Sequence, residues 1–349
     1  MNPVRVLLIG AGHWGSTWVP ALVDDGLTEL VGVVDRNPAA AAALAATAGV
    51  PAFTSIAAAL DSSHVDAAFV VTPPETHEAP AVEALSAGLH CLVEKPLAHN
   101  MAAARAIVAA AGSCGRTVMI SQNYRFHAAP RTVGRLVRDG AIGRPELVRV
   151  DFGVPSEPVW GGFLLSIPEP IIARWMIHQF DLIRSVFPGA EFDRLRARSW
   201  NPSWSPYAGN ASCVIEARSP DGLQLIYTGT WASKKPATAS DGEWCIEGTE
   251  GAIVWSGTRI DLHRREGSQT VPVDVHERVD KAAVLAEFCS AIATGRTPET
   301  APAANLATLQ LLLASLHATD VDGWVDVASA AEESELIAAS PSNPDGWKR

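Results

Sequence analysis

The chain has 349 residues, of which 48% are hydrophobic and 19% are charged. This length and composition predict a large core that is divided between two domains. The formal net charge is −11 and no long basic run is present, which argues against nucleic acid and anionic membranes as partners. No apolar stretch has the length of a membrane span, and because a strand is predicted from Val4 onward, we expect no signal peptide.

The spacing of the cysteines and histidines argues against a disulfide framework and against a metal site. The five cysteines are odd in number, widely spaced and never arranged as Cys-x-x-Cys. This pattern indicates free thiols in a reducing compartment and therefore a cytoplasmic protein. The ten histidines show no spacing typical of metal ligands, so we predict no metal.

The first motif in chain order is a Gly-x-Gly-x-x-Gly turn that follows the predicted strand Val4–Ile9. Gly10 permits a tight turn, Gly12 lets the backbone approach a pyrophosphate, and Gly15 lets the next helix pack closely on the strand. The N-terminus of that helix would present N–H groups and a positive dipole end to the phosphates.

Asp35 ends a second apolar run, about 20 residues after Gly15, where dinucleotide-binding folds place the carboxylate that binds the adenosine ribose. A carboxylate there repels a 2′-phosphate, so NAD is favoured. Arg36 follows at once and could stack on adenine or contact a phosphate, which leaves NADP open. The alternative interpretation is an ordinary glycine-rich turn beside a solvent-exposed aspartate.

Strands and helices alternate up to about residue 122. The predicted strands are Val4–Ile9, Leu30–Val34, Ala67–Val71, Leu89–Val93 and Thr117–Ser121, and the helices between them include Pro38–Ala48, Ala79–Ala87 and Met101–Ala111. Strands that are apolar almost throughout are typical of a parallel sheet covered on both faces. The sequence therefore predicts an α/β fold with a doubly wound parallel sheet that binds ligands beyond the carboxyl ends of its strands.

Two of these strand ends carry candidate residues. The third strand is followed by Thr72, Pro73, Pro74 and His77, for which a plain loop is the alternative. The fourth strand is followed by Glu94, Lys95 and Pro96. A lysine directly after a buried strand, at the ligand edge of such a sheet, is poorly explained by solubility, although a surface lysine is the commoner case.

The chain resembles the Gfo/Idh/MocA family of nicotinamide-dependent oxidoreductases over roughly residues 1–325. The matching segments are Gly10–Gly15, Asp35, Thr72–His77, Glu94–Pro96, Gln122–Phe126 and Ile177–Asp181. The resemblance implies an N-terminal Rossmann domain at residues 1–124 and a C-terminal α/β domain at 125–330, with a tail at 331–349. It also implies that the second domain has a large, open, mostly antiparallel sheet, that its C-terminal helices pack back toward the first domain, and that the sheet joins a homodimer or homotetramer.

The second half of the sequence agrees with that architecture. Its predicted strands are Glu146–Val154, Asp193–Trp200, Ala211–Arg218, Leu223–Trp231, Trp244–Gly248, Ala252–Trp255, Arg259–Arg264 and Thr270–Val275, and its predicted helices are Pro130–Asp139, Lys281–Ala293 and Asn305–Thr319. Turn residues separate the strands, as in hairpins.

The resemblance implies a set of cofactor contacts and a catalytic lysine. The cofactor contacts are Gly10, Gly12, His13, Trp14, Gly15, Asp35, Arg36, Thr72, Pro73, Pro74, His77, Glu94 and Lys95. The family places the lysine at the substrate hydroxyl. Because an ordinary lysine has a pKa of roughly 10.4, Lys95 must lose solvent or lie near positive charge to act as a base. If it stays protonated, it polarises a carbonyl for reduction instead.

His178 is the second catalytic candidate. It lies in an apolar run at helical spacing, and Asp181 shares its face. A hydrogen-bonded core histidine is the alternative, whereas the resemblance implies contact with the reacting hydroxyl. Many family members have an aspartate four residues before this histidine, and here that position is Arg174. Arg174 could anchor an anionic substrate such as a sugar acid, or it could turn outward or pair with a structural acid.

Several other side chains are candidate substrate contacts beside Lys95, His178 and Arg174. They are Tyr124, Arg125 and Trp160. The resemblance places Tyr124 and Arg125 at the domain junction, although Arg125 could equally form an interdomain salt bridge. Trp160, with Trp200, Trp204 and Trp231, lies near predicted loops and strand ends, where aromatic faces stack on sugars; core packing is the alternative.

The sequence therefore predicts an NAD(P)-dependent dehydrogenase or reductase for a sugar, sugar acid or cyclitol. Lys95 and His178 would handle protons and Arg174 would anchor the substrate. Two alternatives stay open: NAD-assisted glycoside cleavage or epimerisation with the cofactor recycled in place, and a non-catalytic NAD-binding sensor.

Overall fold

The structure is a computed structural model that describes residues 2–155 and 162–336. The chain forms two compact units, the first within Met1–Phe126 and Glu277–Leu306, and the second within His127–His276 and from Ala307 onward. The first unit thus combines an N-terminal segment with one from late in the chain. The domain boundaries at 124 and 330 stay predictions, and most of the predicted tail lies outside the described residues.

Within the described residues, six parallel strands form the sheet of the first unit, in the order β3-β2-β1-β4-β5-β6. They are β1 (Val4–Ile9), β2 (Thr28–Val34), β3 (Ala52–Phe53), β4 (Ala67–Val70), β5 (His90–Val93) and β6 (Val118–Ile120). The strand order reverses between β1 and β4, so their carboxyl ends flank the crevice where such sheets bind ligands. The predicted doubly wound parallel sheet is confirmed.

Helices connect the strands and cover the sheets. They are α1 (His13–Asp24), α2 (Pro38–Ala48), α3 (Ile56–Ser62), α4 (Glu78–Ser86), α5 (Met101–Cys114), α6 (Ala128–Arg138), α7 (Pro170–Arg174), α8 (Met176–Val186), α9 (Asp280–Thr294), α10 (Pro302–Ala318) and α11 (Val327–Glu332). Helix α2 has the predicted bounds because its ends are marked locally: the Asn37 side chain accepts from the N–H groups of Ala39 and Ala40, and Gly49 adopts a left-handed conformation.

Helix α9 completes the core of the first unit. Its buried side chains Val284, Leu285 and Phe288 join the apolar cluster that contains Trp18 of α1 and Phe69 of β4. Burial of this apolar face stabilises the unit, since each large side chain removed from water contributes about 1.5–3 kcal/mol. A segment almost 300 residues along the chain therefore belongs to the same unit as the N-terminal sheet.

The second unit contains a mixed sheet whose described strands run in the order β14-β13-β12-β11-β7-β10-β9-β8-β15. They are β7 (Pro145–Pro155), β8 (Arg194–Trp200), β9 (Ser212–Arg218), β10 (Gln224–Ser233), β11 (Glu243–Gly248), β12 (Gly251–Ser256), β13 (Arg259–Arg264), β14 (Gly267–Val271) and β15 (Val325–Asp326). Strands β7 and β10 pair in parallel and the other pairs are antiparallel, which confirms the predicted mostly antiparallel sheet.

The predicted strand Thr270–Val275 is placed too late in the chain. Strand β14 begins at Gly267, which lies opposite Arg264 of β13, and it ends at Val271. The next residue, Pro272, has no N–H to donate to a ladder and therefore ends the strand. Strands β3 and β15 and helices α3 and α11 were not predicted, because segments of two to seven residues carry little periodicity.

Candidate functional site

The glycine turn between β1 and α1 has the shape that a dinucleotide requires. Gly10 has φ +112°, and a Cβ there would lie 2.9 Å from the backbone nitrogen of Thr72. A Cβ on Gly15 would lie 2.3 Å from the carbonyl oxygen of Gly10. Gly12 differs, because a Cβ there would meet no described atom within 4 Å. Gly10 and Gly15 are thus needed for packing, while the open backbone at Gly12 leaves room for a phosphate.

Asp35 ties the end of β2 to this turn. Its Oδ2 accepts from the Ala11 N–H at 2.8 Å, and its Oδ1 accepts from the Asn37 N–H at 2.8 Å. The carboxylate is therefore held beside the glycine turn, and each oxygen keeps a lone pair for another donor. Arg36 is exposed beside it. The residues present thus fit an NAD adenosine ribose at Asp35 and a pyrophosphate at Gly12.

The start of α1 presents two exposed rings. Among the described residues, no side chain caps this helix at its N-cap residue Gly12. His13 and Trp14 follow, with ring centroids 5.6 Å apart in an edge-to-face arrangement. Trp14 is 46% exposed, which is unusual for a tryptophan unless it serves an interface or a ligand.

The end of β5 places Glu94 and Lys95. Glu94 is buried, and its Oε1 accepts from the Trp18 indole N–H at 3.0 Å while its Oε2 accepts from the Lys95 backbone N–H at 2.6 Å. The carboxylate therefore fixes the backbone from which the lysine side chain extends. The Lys95 ammonium lies 5.5 Å from the centroid of the Trp14 ring, which brings the two predicted motifs together.

His77 connects two loops at the same edge of the sheet. Its side chain is completely buried, with Nε2 2.7 Å from the Thr72 carbonyl oxygen and Nδ1 3.0 Å from that of Pro96. Burial lowers the pKa of His77, although these backbone oxygens and the charge of Glu94 oppose the shift. Both ring nitrogens thus lie against backbone carbonyl oxygens, and the contact between His77 and a cofactor stays a prediction.

Two residues beside the glycine turn were missed from the sequence. The indole N–H of Trp18 donates to Glu94, but in the sequence Trp18 has only the pattern of an ordinary apolar residue of α1. The Lys281 ammonium donates to the carbonyl oxygen of Thr17 at 2.7 Å and lies 4.9 Å from the centroid of the Trp18 ring. Burial lowers the pKa of Lys281, against the charges of Asp280 and Glu94. No local signal marks Lys281, since its partners are more than 260 residues away.

Tyr124 and Arg125 lie in a short 3-10 turn after β6. The Arg125 guanidinium donates to the carbonyl oxygen of Glu299 at 3.3 Å, and both residues belong to the first unit.

In the second unit, α7 and α8 carry the other candidates. Arg174 is the last residue of α7 and is partly exposed. His178 in α8 is 4% exposed and lies edge-to-face with Trp175, with ring centroids 5.6 Å apart. Asp181 on the same helix is completely buried. The predicted helix at His178 and its burial are confirmed.

Glu169 anchors α7 to the sheet. Its Oε1 accepts from the Ser199 hydroxyl at 2.8 Å and from the Asn210 amide at 2.7 Å. Burial raises the pKa of Glu169, and the two hydrogen bonds oppose this shift. The contacts fix the start of the helix that ends at Arg174.

The tryptophans predicted to stack on sugars fall into two groups. Trp231 is 3% exposed and packs between Trp175 and Tyr207, which is a core role. Trp200 and Trp204 are 45% and 53% exposed. Trp160 lies outside the described residues.

The described residues contain no group of three histidine, cysteine, aspartate or glutamate side chains that could hold a metal ion. In the same part of the chain, no helix combines the length and hydrophobicity needed to cross a bilayer.

Comparisons with known proteins agree with these features. A family model described as an oxidoreductase family with an NAD-binding Rossmann fold matches residues 4–122, and a GFO/IDH/MocA C-terminal domain model matches residues 130–254. The chain is 27% identical to the D-apiose dehydrogenase of Paraburkholderia graminis, over 96% of this chain and 92% of that protein. It is 28% identical to the UDP-N-acetylglucosamine 3-dehydrogenase of Acidithiobacillus ferrooxidans, over 85% of this chain and 91% of that protein.

A solved oxidoreductase from Agrobacterium radiobacter, in complex with NAD+, L-tartaric acid and magnesium, has the same fold. The TM-score is 0.84 at 21% identity, and the match covers 93% of this chain and 99% of that chain. Both halves of the sequence thus match models of one family. The chain belongs to the Gfo/Idh/MocA family of NAD-binding oxidoreductases.

Proposed function

We propose that the chain interconverts a secondary alcohol and a ketone of a sugar, sugar acid or cyclitol, with NAD as the redox partner. The relatives named above are dehydrogenases of sugars, which supports a carbohydrate substrate. The observation that carries the proposal is the placement of Lys95, whose backbone is fixed by buried Glu94 and whose ammonium faces the exposed ring of Trp14.

NAD supplies the acceptor or donor of a hydride when it is bound. Gly12 and the start of α1 would hold its pyrophosphate, and Asp35 would accept hydrogen bonds from its adenosine ribose. The charge of Asp35 disfavours a 2′-phosphate, so we propose NAD rather than NADP. Because the positively charged Arg36 is exposed beside Asp35, both cofactors are tested in the assay.

Lys95 would handle the proton of the reacting oxygen. In its protonated form the ammonium is attracted by the face of Trp14 and can donate to a carbonyl oxygen during reduction. In its neutral form the same amine can accept the hydroxyl proton during oxidation. The two directions of the reaction thus require the two protonation states of one side chain.

We propose further roles in proton transfer and substrate binding for other candidate residues. His178 is the second candidate for proton handling, and Arg174 is the candidate anchor for a carboxylate on the substrate. Tyr124 and Arg125 remain proposed substrate contacts in the first unit.

The assay is the change in reduced-nicotinamide absorbance when the purified protein is offered neutral sugars, aldonic and uronic acids, and inositols with NAD or NADP. Lys95→Met should abolish turnover and leave NAD binding largely intact. Lys234→Met is the matched control, because Lys234 also lies over a tryptophan ring, at 5.8 Å from Trp204, but far along the chain from the glycine turn. Full turnover by Lys95→Met would refute the proposed role.

Location and assembly are proposed on other observations. All five cysteines are free, which supports a cytoplasmic location.

One face of the second sheet exposes apolar side chains between charged ones, including Ile226 at 37% and Val254 at 41%. We propose a second copy of the chain as the partner of this face, giving a homodimer or homotetramer. Light scattering of the purified protein tests this, and a monomer at all concentrations would refute it.

A further inference from the structure

The side-chain amide of Gln122 is buried and has no hydrogen-bond partner within residues 2–155 and 162–336. Its side chain is 0% exposed, and neither Oε1 nor Nε2 has a partner among the described residues. The hydroxyl of the preceding Ser121, which is 1% exposed, also lacks one. Burial of unpaired polar atoms is costly, and folded proteins pair the great majority of them. A buried primary amide whose oxygen and nitrogen both lack a partner among the described residues therefore points to a ligand that forms hydrogen bonds with it.

Two other glutamines have a paired amide nitrogen. In Gln179 the amide nitrogen donates to the carbonyl oxygen of Ser240 at 3.2 Å, and in Gln224 it donates to that of Gly222 at 3.1 Å. Gln179 is also fully buried and its Oε1 has no partner among the described residues, so Gln122 differs in that neither of its two amide atoms is paired there.

The backbone that carries Gln122 is rigidly placed. On one side, the Ser121 N–H donates to the Val93 carbonyl oxygen at 2.9 Å, which continues the ladder between β5 and β6. On the other side, the Thr300 hydroxyl donates to the carbonyl oxygen of Ile120 at 2.6 Å. The unpaired amide is therefore not the result of a loosely held segment.

Gln122 lies at the ligand edge of the first sheet, one strand away from Lys95. Ile120 of β6 is in register with Val93 of β5, and Gln122 is two residues beyond Ile120 as Lys95 is two residues beyond Val93. Asp35 lies at the end of β2, four strand positions away in the sheet. At about 4.8 Å for each position, this separation is about 19 Å, so an adenosine bound at Asp35 does not reach Gln122.

We propose that Gln122 binds the carboxamide of the nicotinamide half of NAD, amide to amide. The inference rests on the proposed use of NAD by this unit. A carboxamide offers one acceptor and two donors, which match the Nε2–H groups and the Oε1 of Gln122. The pyrophosphate and the riboses have no amide, so the nicotinamide is the part of the cofactor that complements this side chain. Gln122 thereby selects the orientation of the nicotinamide ring next to Lys95.

The test compares NAD with ADP-ribose, which lacks the nicotinamide. Calorimetric titration of Gln122→Leu should give about tenfold weaker binding of NAD and unchanged binding of ADP-ribose, as expected for the loss of one or two neutral hydrogen bonds. Gln224→Leu is the control and should leave both affinities unchanged. Equal weakening of both ligands, or no weakening of NAD, would overturn the proposal.

Two further measurements separate a ligand role from a structural one. The thermal midpoint of unliganded Gln122→Leu should equal or exceed that of the wild type, because the substitution removes buried polar atoms that have no partner in the described part of the chain. An NAD analogue with an acetyl group in place of the carboxamide should bind more weakly than NAD to the wild type and equally to Gln122→Leu. The proposal would be overturned if Gln122→Leu had a lower thermal midpoint than the wild type and the wild type bound the analogue as tightly as NAD. Because these are binding measurements, absence of sugar turnover would contradict the proposed function and leave this inference standing.

Discussion

The Lys95 ammonium lies 5.5 Å from the centroid of the Trp14 ring, so the residue that follows β5 faces a residue of the turn that follows β1. Strand β4 separates these two strands in the sheet. The contact therefore spans the crevice beside the strand-order reversal, where this kind of sheet binds its ligand. A lysine and an exposed tryptophan that are far apart in sequence thus form one candidate site.

The Trp14 ring should contribute to turnover through Lys95. A cation and an aromatic face attract each other by about 0.5–1 kcal/mol at an exposed site. Trp14→Leu should therefore lower kcat/KM about two- to fivefold, and Trp14→Phe should restore most of the loss because it restores an aromatic face. Steady-state kinetics on the best substrate of the panel measures this. Equal rates for the leucine and phenylalanine variants would show that the aromatic face is not used.

Asp35 should set the choice of cofactor. Asp35→Ser removes the charge that disfavours a 2′-phosphate and weakens the hold on the Ala11 N–H. Because hydrogen bonds to charged groups contribute about 1.5–3 kcal/mol, NAD affinity should fall by one to two orders of magnitude. NADP affinity should fall less or rise. Titration of both cofactors gives the ratio of affinities, and an unchanged ratio would remove Asp35 from cofactor selection.

The effects of substituting Trp18 and Glu94 on the free energy of unfolding should be coupled, because their side chains share a hydrogen bond. Trp18→Phe leaves a buried carboxylate oxygen without its donor, so the free energy of unfolding should fall by about 1–3 kcal/mol. Glu94→Leu removes the acceptor, and the double variant should be more stable than the sum of the two single effects predicts. Urea unfolding of the four proteins measures the coupling. Strictly additive effects would show that the hydrogen bond does not stabilise the fold.

His77 should make stability depend on pH. Burial lowers its pKa below the ordinary value of 6.5, so in acid the unfolded chain binds a proton that the folded chain resists. The contribution of His77 is complete above pH 6.5 and is lost as the pH falls through the lowered value. The stability difference between the wild type and His77→Gln should therefore shrink from pH 7.5 to pH 5, as urea unfolding at each pH can measure.

The control for this measurement is His64→Gln, since the His64 side chain is exposed and its ring pairs with nearby Asp66. Because substitutions of exposed side chains change the free energy of unfolding little, the difference between His64→Gln and the wild type should be small. A constant difference between wild type and His77→Gln across the range would contradict the assignment.

The sequence by itself determined the elements whose signals are local. The strand Val4–Ile9, the glycine turn and the helix Pro38–Ala48 follow from apolar runs, glycine spacing and caps that lie within a few residues of one another. The position of Lys95 at a ligand edge follows as well, because the carboxyl ends of parallel strands meet at one edge of the sheet.

Only the tertiary structure decided which distant groups meet. It assigned α9 to the first unit, buried His77 against the Pro96 carbonyl oxygen, and joined the Trp18 indole to the Glu94 carboxylate. It also left the amide of Gln122 without a partner among the residues that the structure describes. These outcomes depend on long-range packing and on the requirement that buried polar groups find partners, and neither leaves a pattern within a short stretch of sequence.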